Sequence, residues 1–345
     1  MKKEINTIEK NNKILNGQFF TITSPFNHDL FFRWYELIEN VESEIFIEPF
    51  AGSNNIIKMI EELNLPQPKG WKAYDIDPPS YNVVPEFKVI KQNTIENFPK
   101  GHKVGITNPP YLAKNSATRR NMPFPDTELD DLYKLSLQVM LEHLEYVAAI
   151  IPESFITQDK LKGRLYGVIS LNEKMFEDTS VPVCLALFTP DLRVDFEVYR
   201  GDLKLGMYKD IEKELNLFKP NTDTIKKKWK FNDINGEIGL RAIDSTSGPS
   251  IEFIKASNVD KSKIKHSSRS LTVISGVKFN NELELESFIN TCNKLLNSYR
   301  DKTQDVFMTS FKGLRDDKKY RRRLSFAEAR ILLDKAYELW KEENE

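Results

Sequence analysis

The chain has 345 residues, 40% hydrophobic and 29% charged, an ordinary globular composition with length enough for two domains. Lys and Arg number 50 against 51 Asp and Glu, and a net charge of −1 argues against indiscriminate nucleic-acid binding. No apolar run reaches the roughly 20 residues of a membrane span, the amino terminus has no apolar signal core, and two isolated cysteines, Cys184 and Cys292, exclude a disulfide framework and a zinc cluster. A reducing cytoplasm is the expected compartment. His28, His102, His143 and His266 show no metal-ligand spacing, so no metal is expected.

In chain order, Leu30–Glu39 carries aromatic residues at helical spacing, Glu44–Glu48 reads as a strand and Asn55–Leu63 as a helix. Gly70–Asp75, Phe87–Lys91 and Lys103–Thr107 read as three further strands. A long loop leads to a helix over Leu129–Glu145, a strand over Tyr146–Ile151, a helix around Lys160–Ile169 and a closing strand over Val181–Phe188. Strands alternating with helices imply right-handed crossovers and a mostly parallel sheet. Beyond the Pro190–Phe196 boundary the pattern changes to short strands such as Leu271–Ile274 and two strong helices, Glu282–Tyr299 and Ser325–Glu342. Ser325 and Glu328 predict a capping box on the second. The expected division is a catalytic domain over 1–193 and a smaller α+β domain over 194–345.

Charge divides along similar lines. Residues 201–345 hold 28 Lys/Arg against 23 Asp/Glu, leaving 22 against 28 in residues 1–200. An acidic front and a basic rear suggest a catalytic domain joined to an anion-binding one.

Chemistry concentrates at strand ends, where open α/β sheets place their ligands. The first strand runs into Glu48-Pro49-Phe50-Ala51-Gly52 and a helix, a nucleotide-binding corner. The second ends in Asp75-Ile76, with an acid placed to accept both hydroxyls of a ribose. Asn93, after the third, can hydrogen-bond an adenine edge, and the Thr21 hydroxyl can hold a carboxylate. The fourth strand delivers Asn108-Pro109-Pro110-Tyr111. There an amide can grip an exocyclic amine, two prolines leave carbonyls without competing N–H groups, and an aromatic ring offers a flat face.

These segments together resemble an S-adenosylmethionine-dependent DNA N6-adenine methyltransferase of the gamma-type motif order: cofactor motifs, catalytic motif, target-recognition domain. The resemblance covers about residues 15–190 and implies a Rossmann-like class I methyltransferase fold with a mostly parallel seven-stranded sheet. It implies that Thr21 and the Glu48–Gly52 loop hold the methionine end of S-adenosyl-L-methionine. Asp75 would hold the ribose, and Ile76 and Asn93 the adenine. Asn108, Pro109, Pro110 and Tyr111 match the catalytic motif, and Asn in its first place favours adenine over cytosine-N4. Phe176 matches a second base-stacking aromatic. Where the family has a further glycine the loop has Asn54, expected in the left-handed conformation.

The implied substrate is double-stranded DNA with the target adenine flipped out of the stack. The implied setting is a restriction-modification system, with a cognate endonuclease acting on the same site and the methyltransferase working as a monomer. Lys114, Arg119 and Arg120 follow the catalytic motif and suit phosphates beside the extruded base. The Lys226–Lys230 cluster with Trp229 (Lys226, Lys227 and Lys228 among it), the Lys261–Lys265 cluster with Arg269, and the Lys318–Arg323 cluster with Arg321, Arg322 and Arg323 are further candidate DNA contacts. The same tetrapeptide also occurs in RNA adenine and protein glutamine methyltransferases, the nearest rival readings. A non-catalytic DNA-binding module is a third, disfavoured by the intact Asn108–Tyr111 and Asp75.

Overall fold

A computed structural model describes residues 21, 23–158, 160–171, 175–176, 181–220 and 228–344. Lys226 and Lys227 lie outside the described residues. The chain divides into two compact units, Met1–Lys204 and Leu205–Glu345.

The first unit begins with helix α1 (Asp29–Tyr35), whose N-terminal turn is capped by the His28 ring accepting from the Leu30 amide. Strand β1 (Ile45–Glu48) is followed by α2 (Asn55–Glu61), β2 (Gly70–Asp75), β3 (Val89–Lys91) and β4 (Val104–Thr107). Helices α3 (Lys114–Arg119) and α4 (Leu132–His143) precede β5 (Tyr146–Pro152), β6 (Leu165–Ser170), β7 (Val183–Phe188) and β8 (Glu197–Arg200). Strand β9 (Leu203–Met207) lies where the chain passes from one unit to the next. The sheet order is β3-β2-β1-β4-β5-β7-β6-β8-β9. Strands β1 to β5 pair in parallel, and β7 runs antiparallel between β5 and β6. The first seven strands therefore have the class I methyltransferase arrangement, extended to nine. Burial explains the strand composition: β4, β5 and β7 are apolar and almost fully inaccessible, as strands covered on both faces require.

Two expectations differ. The helix expected around Lys160–Ile169 is strand β6, which pairs with β7 from Leu165 onward. Gly167 shows why: a Cβ there would meet Leu30 Cδ2 at 2.9 Å and the Glu197 carbonyl at 3.2 Å, so the strand packs against α1 and β8 at backbone range. Strand β8 lies past the expected boundary at 193, yet it pairs in parallel with β6 in the first sheet.

The second unit contains α5 (Tyr208–Glu212) and strands β10 (Lys230–Phe231), β11 (Ile238–Arg241), β12 (Glu252–Lys255) and β13 (Leu271–Ser275). These strands form an antiparallel sheet ordered β10-β13-β11-β12. Helix α6 (Glu282–Thr303), the hairpin β14–β15 (Thr309–Leu314, Tyr320–Arg323) and α7 (Phe326–Asn344) complete it. Both bonds of the capping box are made, Glu328 N–H to Ser325 Oγ at 3.2 Å and Ser325 N–H to Glu328 Oε2 at 2.8 Å.

Candidate active site

A cavity of about 560 Å³ opens at the carboxyl ends of β1 to β4. Thr21, Phe50, Ala51, Gly52, Asp75, Ile76 and Asn93 line it together with Asn108 and Pro110. Its size is that of a small-molecule site. Residues from four strand ends and from the amino-terminal segment thus converge on one cavity.

The loop after β1 is built by backbone geometry. Gly52 and Asn54 both adopt positive φ, 50° and 67°, so Asn54 takes the left-handed conformation expected of it. The Asn54 amide then donates to Asn82 Oδ1 at 2.9 Å and to the Phe87 carbonyl at 2.7 Å, fixing the turn. Asp75 braces the same loop: its carboxylate accepts from the Gly52 amide and the Asp77 amide, each at 2.9 Å. Ile76 is 55% exposed, an apolar side chain presented to the cavity. Asn93 turns its Oδ1 to the Ile95 amide at 3.2 Å, while Thr94 donates to the Pro49 carbonyl at 2.8 Å, tying the β3 end to the β1 loop.

Glu48 is fully buried and does not itself line the cavity. One of its oxygens accepts from the Thr107 hydroxyl and from the Phe50 amide at 3.2 Å. Desolvation is the largest effect on this carboxyl, and together with the Asp75 charge it outweighs those bonds and pushes the pKa up to about 8. Glu48 Oε2, Thr21 Oγ1 and Ser53 Oγ are buried with no hydrogen-bond partner among the described residues. Buried polar atoms left unmatched are costly; Thr21 lines the cavity itself, while Glu48 and Ser53 flank the Phe50–Gly52 stretch that does. An acceptor and two hydroxyls fit the ammonium and carboxylate of an α-amino acid, so the donor set suits the methionine end of S-adenosylmethionine.

At the end of β4, the Tyr111 hydroxyl lies 2.5 Å from Asn108 Oδ1 and 2.6 Å from the Ile150 carbonyl. Burial raises the Tyr111 hydroxyl well above its usual range, so it carries its proton. The Tyr111 hydroxyl thus lies within reach of both oxygens and ties the Asn108 side chain to the β5 backbone.

The Tyr111 ring is packed edge-on against Tyr133 (6.3 Å, 89°) and Phe176 (5.9 Å, 71°). Phe176 is 1% exposed, and neither ring lines the cavity. The two rings therefore do not form parallel faces of a clamp in this structure, and stacking a base between them requires both to turn outward. Pro109 is buried beside them. The sequence did not single out the wall formed by Met122, Pro123, Phe124, Pro125 and Leu132. Its only signal was an apolar run, Met122–Pro125, within an otherwise polar loop.

The basic candidates separate by burial. Lys114, Arg119 and Arg120 are exposed, with Lys114 donating to the Thr127 carbonyl at 3.0 Å and lying 5.9 Å from the Phe124 ring centre. Lys228 is exposed. Arg321 stacks on Phe311 and donates to the Asp244 carbonyl at 2.6 Å, and Arg323 is half-buried. Arg322 is 1% exposed and donates to the Met308 carbonyl at 3.1 Å, so it is a packing residue of its unit and not a phosphate contact. Among the described residues no His/Cys/Asp/Glu group could hold a metal ion, and no helix is long and apolar enough to cross a membrane.

No protein-family model matches the chain, and no curated protein matches it. Solved structures similar to it include the type I restriction-modification system methyltransferase subunit from Streptococcus thermophilus (15% identity, 57% of this chain and 53% of that one, TM-score 0.37). Others are the M protein of the type I restriction enzyme EcoKI (17%, 46% and 44%, TM-score 0.31) and the 23S rRNA methyltransferase ErmE (12%, 58% and 78%, TM-score 0.32). The chain spans about half the length of the two restriction-modification subunits. Scores this low say nothing of substrate.

Proposed function

We propose that the chain is an S-adenosylmethionine-dependent DNA methyltransferase that modifies N6 of adenine, with the second unit contributing target recognition. The observation that carries this reading is the single cavity in which Asn108 and Pro110 meet the Thr21, Phe50–Gly52, Asp75–Ile76 and Asn93 surfaces. An amide acceptor is thereby held beside a nucleoside-shaped site. S-adenosylmethionine, when bound, supplies an electrophilic sulfonium methyl.

The protein's own task is to make a poor nucleophile reactive. The adenine amine has its lone pair delocalised into the ring. Asn108 Oδ1, held in place by the Tyr111 hydroxyl, is the expected acceptor for one N6–H, and the Pro109 carbonyl for the other. Two acceptors below the ring favour a tetrahedral nitrogen whose lone pair points at the methyl. Orienting the partners in this way contributes at best on the order of 7–11 kcal/mol of barrier reduction. N6 would receive that methyl from a bound S-adenosylmethionine, and the methylated amine would release one proton to water. No buried histidine or cysteine is needed as base, because that proton leaves after its pKa has collapsed. With the cofactor bound, Glu48 would give up its proton and accept from the ammonium, and Thr21 would donate to the carboxylate.

Reaching N6 in a duplex requires flipping the nucleotide, a cost of a few kcal/mol. Lys114, Arg119 and Arg120 on and beside α3 suit the flanking phosphates. A cognate endonuclease and a protective role follow from the resemblance and belong to the same proposal. The test is transfer of labelled methyl to duplex DNA by wild type and Asn108→Ala. The variant should keep cofactor affinity and lose turnover by 100-fold or more on the order of an oxyanion-hole deletion; full activity in the variant would sink the assignment.

A further inference from the structure

We infer that the Ser245–Ser250 loop and the Arg315–Lys319 turn act as one preformed prong that contacts duplex DNA through hydroxyl and ammonium groups. This deepens the proposed function and rests on it for the choice of DNA.

The segment Ser245-Thr246-Ser247-Gly248-Pro249-Ser250 is of the composition that makes a mobile surface loop. Here it is tied down from within. Ser245 N–H donates to Ser250 Oγ at 2.6 Å, and Ser250 N–H donates to Asp244 Oδ1 at 2.9 Å. Asp244 is 0% exposed and is gripped from several directions. Arg300, on α6, donates to both of its oxygens at 3.0 Å, and Arg315 donates to Oδ2 at 3.2 Å. The Arg322 amide adds a bond at 3.1 Å.

The same carboxylate anchors the hairpin turn. Arg315 also pairs with Asp317 at 2.8 Å, its N–H donates to the Lys319 carbonyl at 2.8 Å, and Lys318 takes φ 62° to close the turn. The two loops touch directly, since Asp316 N–H donates to the Thr246 carbonyl at 2.7 Å. A buried aspartate between two arginines is an expensive device, weak as a source of stability and best understood as fixing one geometry. What it fixes is a surface on which Thr246, Ser247 and Lys318 are all exposed, with Lys319 half-buried beside them.

The chemistry of that surface selects its partner. In residues 309–323 Lys312 and Lys318 are exposed and Lys319, Arg321 and Arg323 half-buried, against exposed Asp316 and Asp317, the latter paired with buried Arg315. Ammonium groups neutralise phosphates, while hydroxyls donate or accept at either base edges or phosphate oxygens. A prong already ordered pays little side-chain and loop entropy on binding. A polyanion with grooves that admit a hairpin-width element meets these requirements, and duplex DNA is the one the first unit calls for.

The experiment uses the full chain and a fluorescently labelled duplex, with affinity measured across a salt series. Lys318→Gln/Lys319→Gln should flatten the slope of log affinity against log salt by about 2, close to 0.9 for each lost phosphate contact. Thr246→Ala/Ser247→Ala should weaken binding about 3- to 10-fold at fixed salt and leave the slope unchanged. The same two charges removed from α6 and α7, Lys294→Gln/Lys341→Gln, should leave the slope unchanged. The inference is overturned if the Lys318/Lys319 variant keeps the wild-type slope, if the α6/α7 control flattens it equally, or if RNA of the same length competes better than the duplex. Methyl transfer, followed in parallel, separates the two claims. Unchanged slope with methylation of DNA removes the prong alone; a slope change without any methylation of DNA removes the proposed reaction alone.

Discussion

Replacing Glu48 by glutamine turns the buried carboxyl into a neutral amide of the same shape, and the consequence depends on pH in a direction the structure dictates. Unfolded, the carboxyl ionises near 4.5; folded, it is pushed up to about 8 because burial penalises its charge more than Thr107 and Phe50 stabilise it. Between those values the native state holds a proton that the unfolded state has lost. Native stability of the ligand-free protein therefore falls as pH rises from about 5 to about 8. The gap corresponds to about 5 kcal/mol as a ceiling. Relaxation and water entry reduce it, so a loss of about 2–3 kcal/mol is the working expectation. Glu48→Gln should lack this loss, and its advantage over wild type should grow across the same interval. Urea unfolding midpoints of both proteins at pH 5 and pH 8.5 measure it directly. Parallel pH profiles would refute the reasoning, because the buried charge would then carry no penalty. The variant should also bind S-adenosylmethionine more weakly, since the Oε2 acceptor is replaced by an amide donor facing an ammonium.

Tyr111→Phe deletes the hydroxyl and keeps the ring, so kcat should fall about 3- to 30-fold with the KM for cofactor unchanged, as one orienting hydrogen bond is lost; equal losses in both constants would point to general disorder. Asp244→Ala removes the buried carboxylate between Arg300 and Arg315, which keep only Asp305 and Asp317, and should cost about 3–5 kcal/mol in thermal or urea unfolding, far more than loss of an exposed pair such as Lys213–Asp210. Gly105→Ala places a Cβ 2.6 Å from Leu144 Cδ1 behind the catalytic loop, and should cost about 1–3 kcal/mol by overpacking, read from the unfolding midpoint.

The strand ends were legible because their chemistry is local. Glu48, Asp75, Asn93 and Asn108 each lie at or just past the end of a strand-like run, Glu48 and Asp75 about one βα unit apart, and parallel pairing of β1 to β4 brings those ends to one edge. Strand β6 was not legible: Leu161, Leu165, Val168 and Ile169 mimic a helical face, and a strand buried on both sides has no alternation to contradict it. The boundary was misplaced for a related reason. Pro190–Phe196 reads as a linker, but the Arg200 guanidinium at the end of β8 pairs with the buried Glu153 and binds that strand to the first sheet. Tyr111 was legible as an aromatic and not as a hydroxyl, since its bond to Ile150 joins residues 39 positions apart. The Asp244 network joins residues 56 and 71 positions away, beyond any periodicity in the chain.

The central claim is the identity of the methylated atom. Duplex DNA incubated with the purified chain and S-adenosylmethionine, digested to nucleosides and separated by mass, should yield N6-methyladenosine in its deoxy form and no methylated cytosine. RNA and protein offered in the same reaction should stay unlabelled. Methyl recovered on cytosine N4, on RNA, or on a glutamine side chain would contradict the account, whatever the affinity of the chain for DNA.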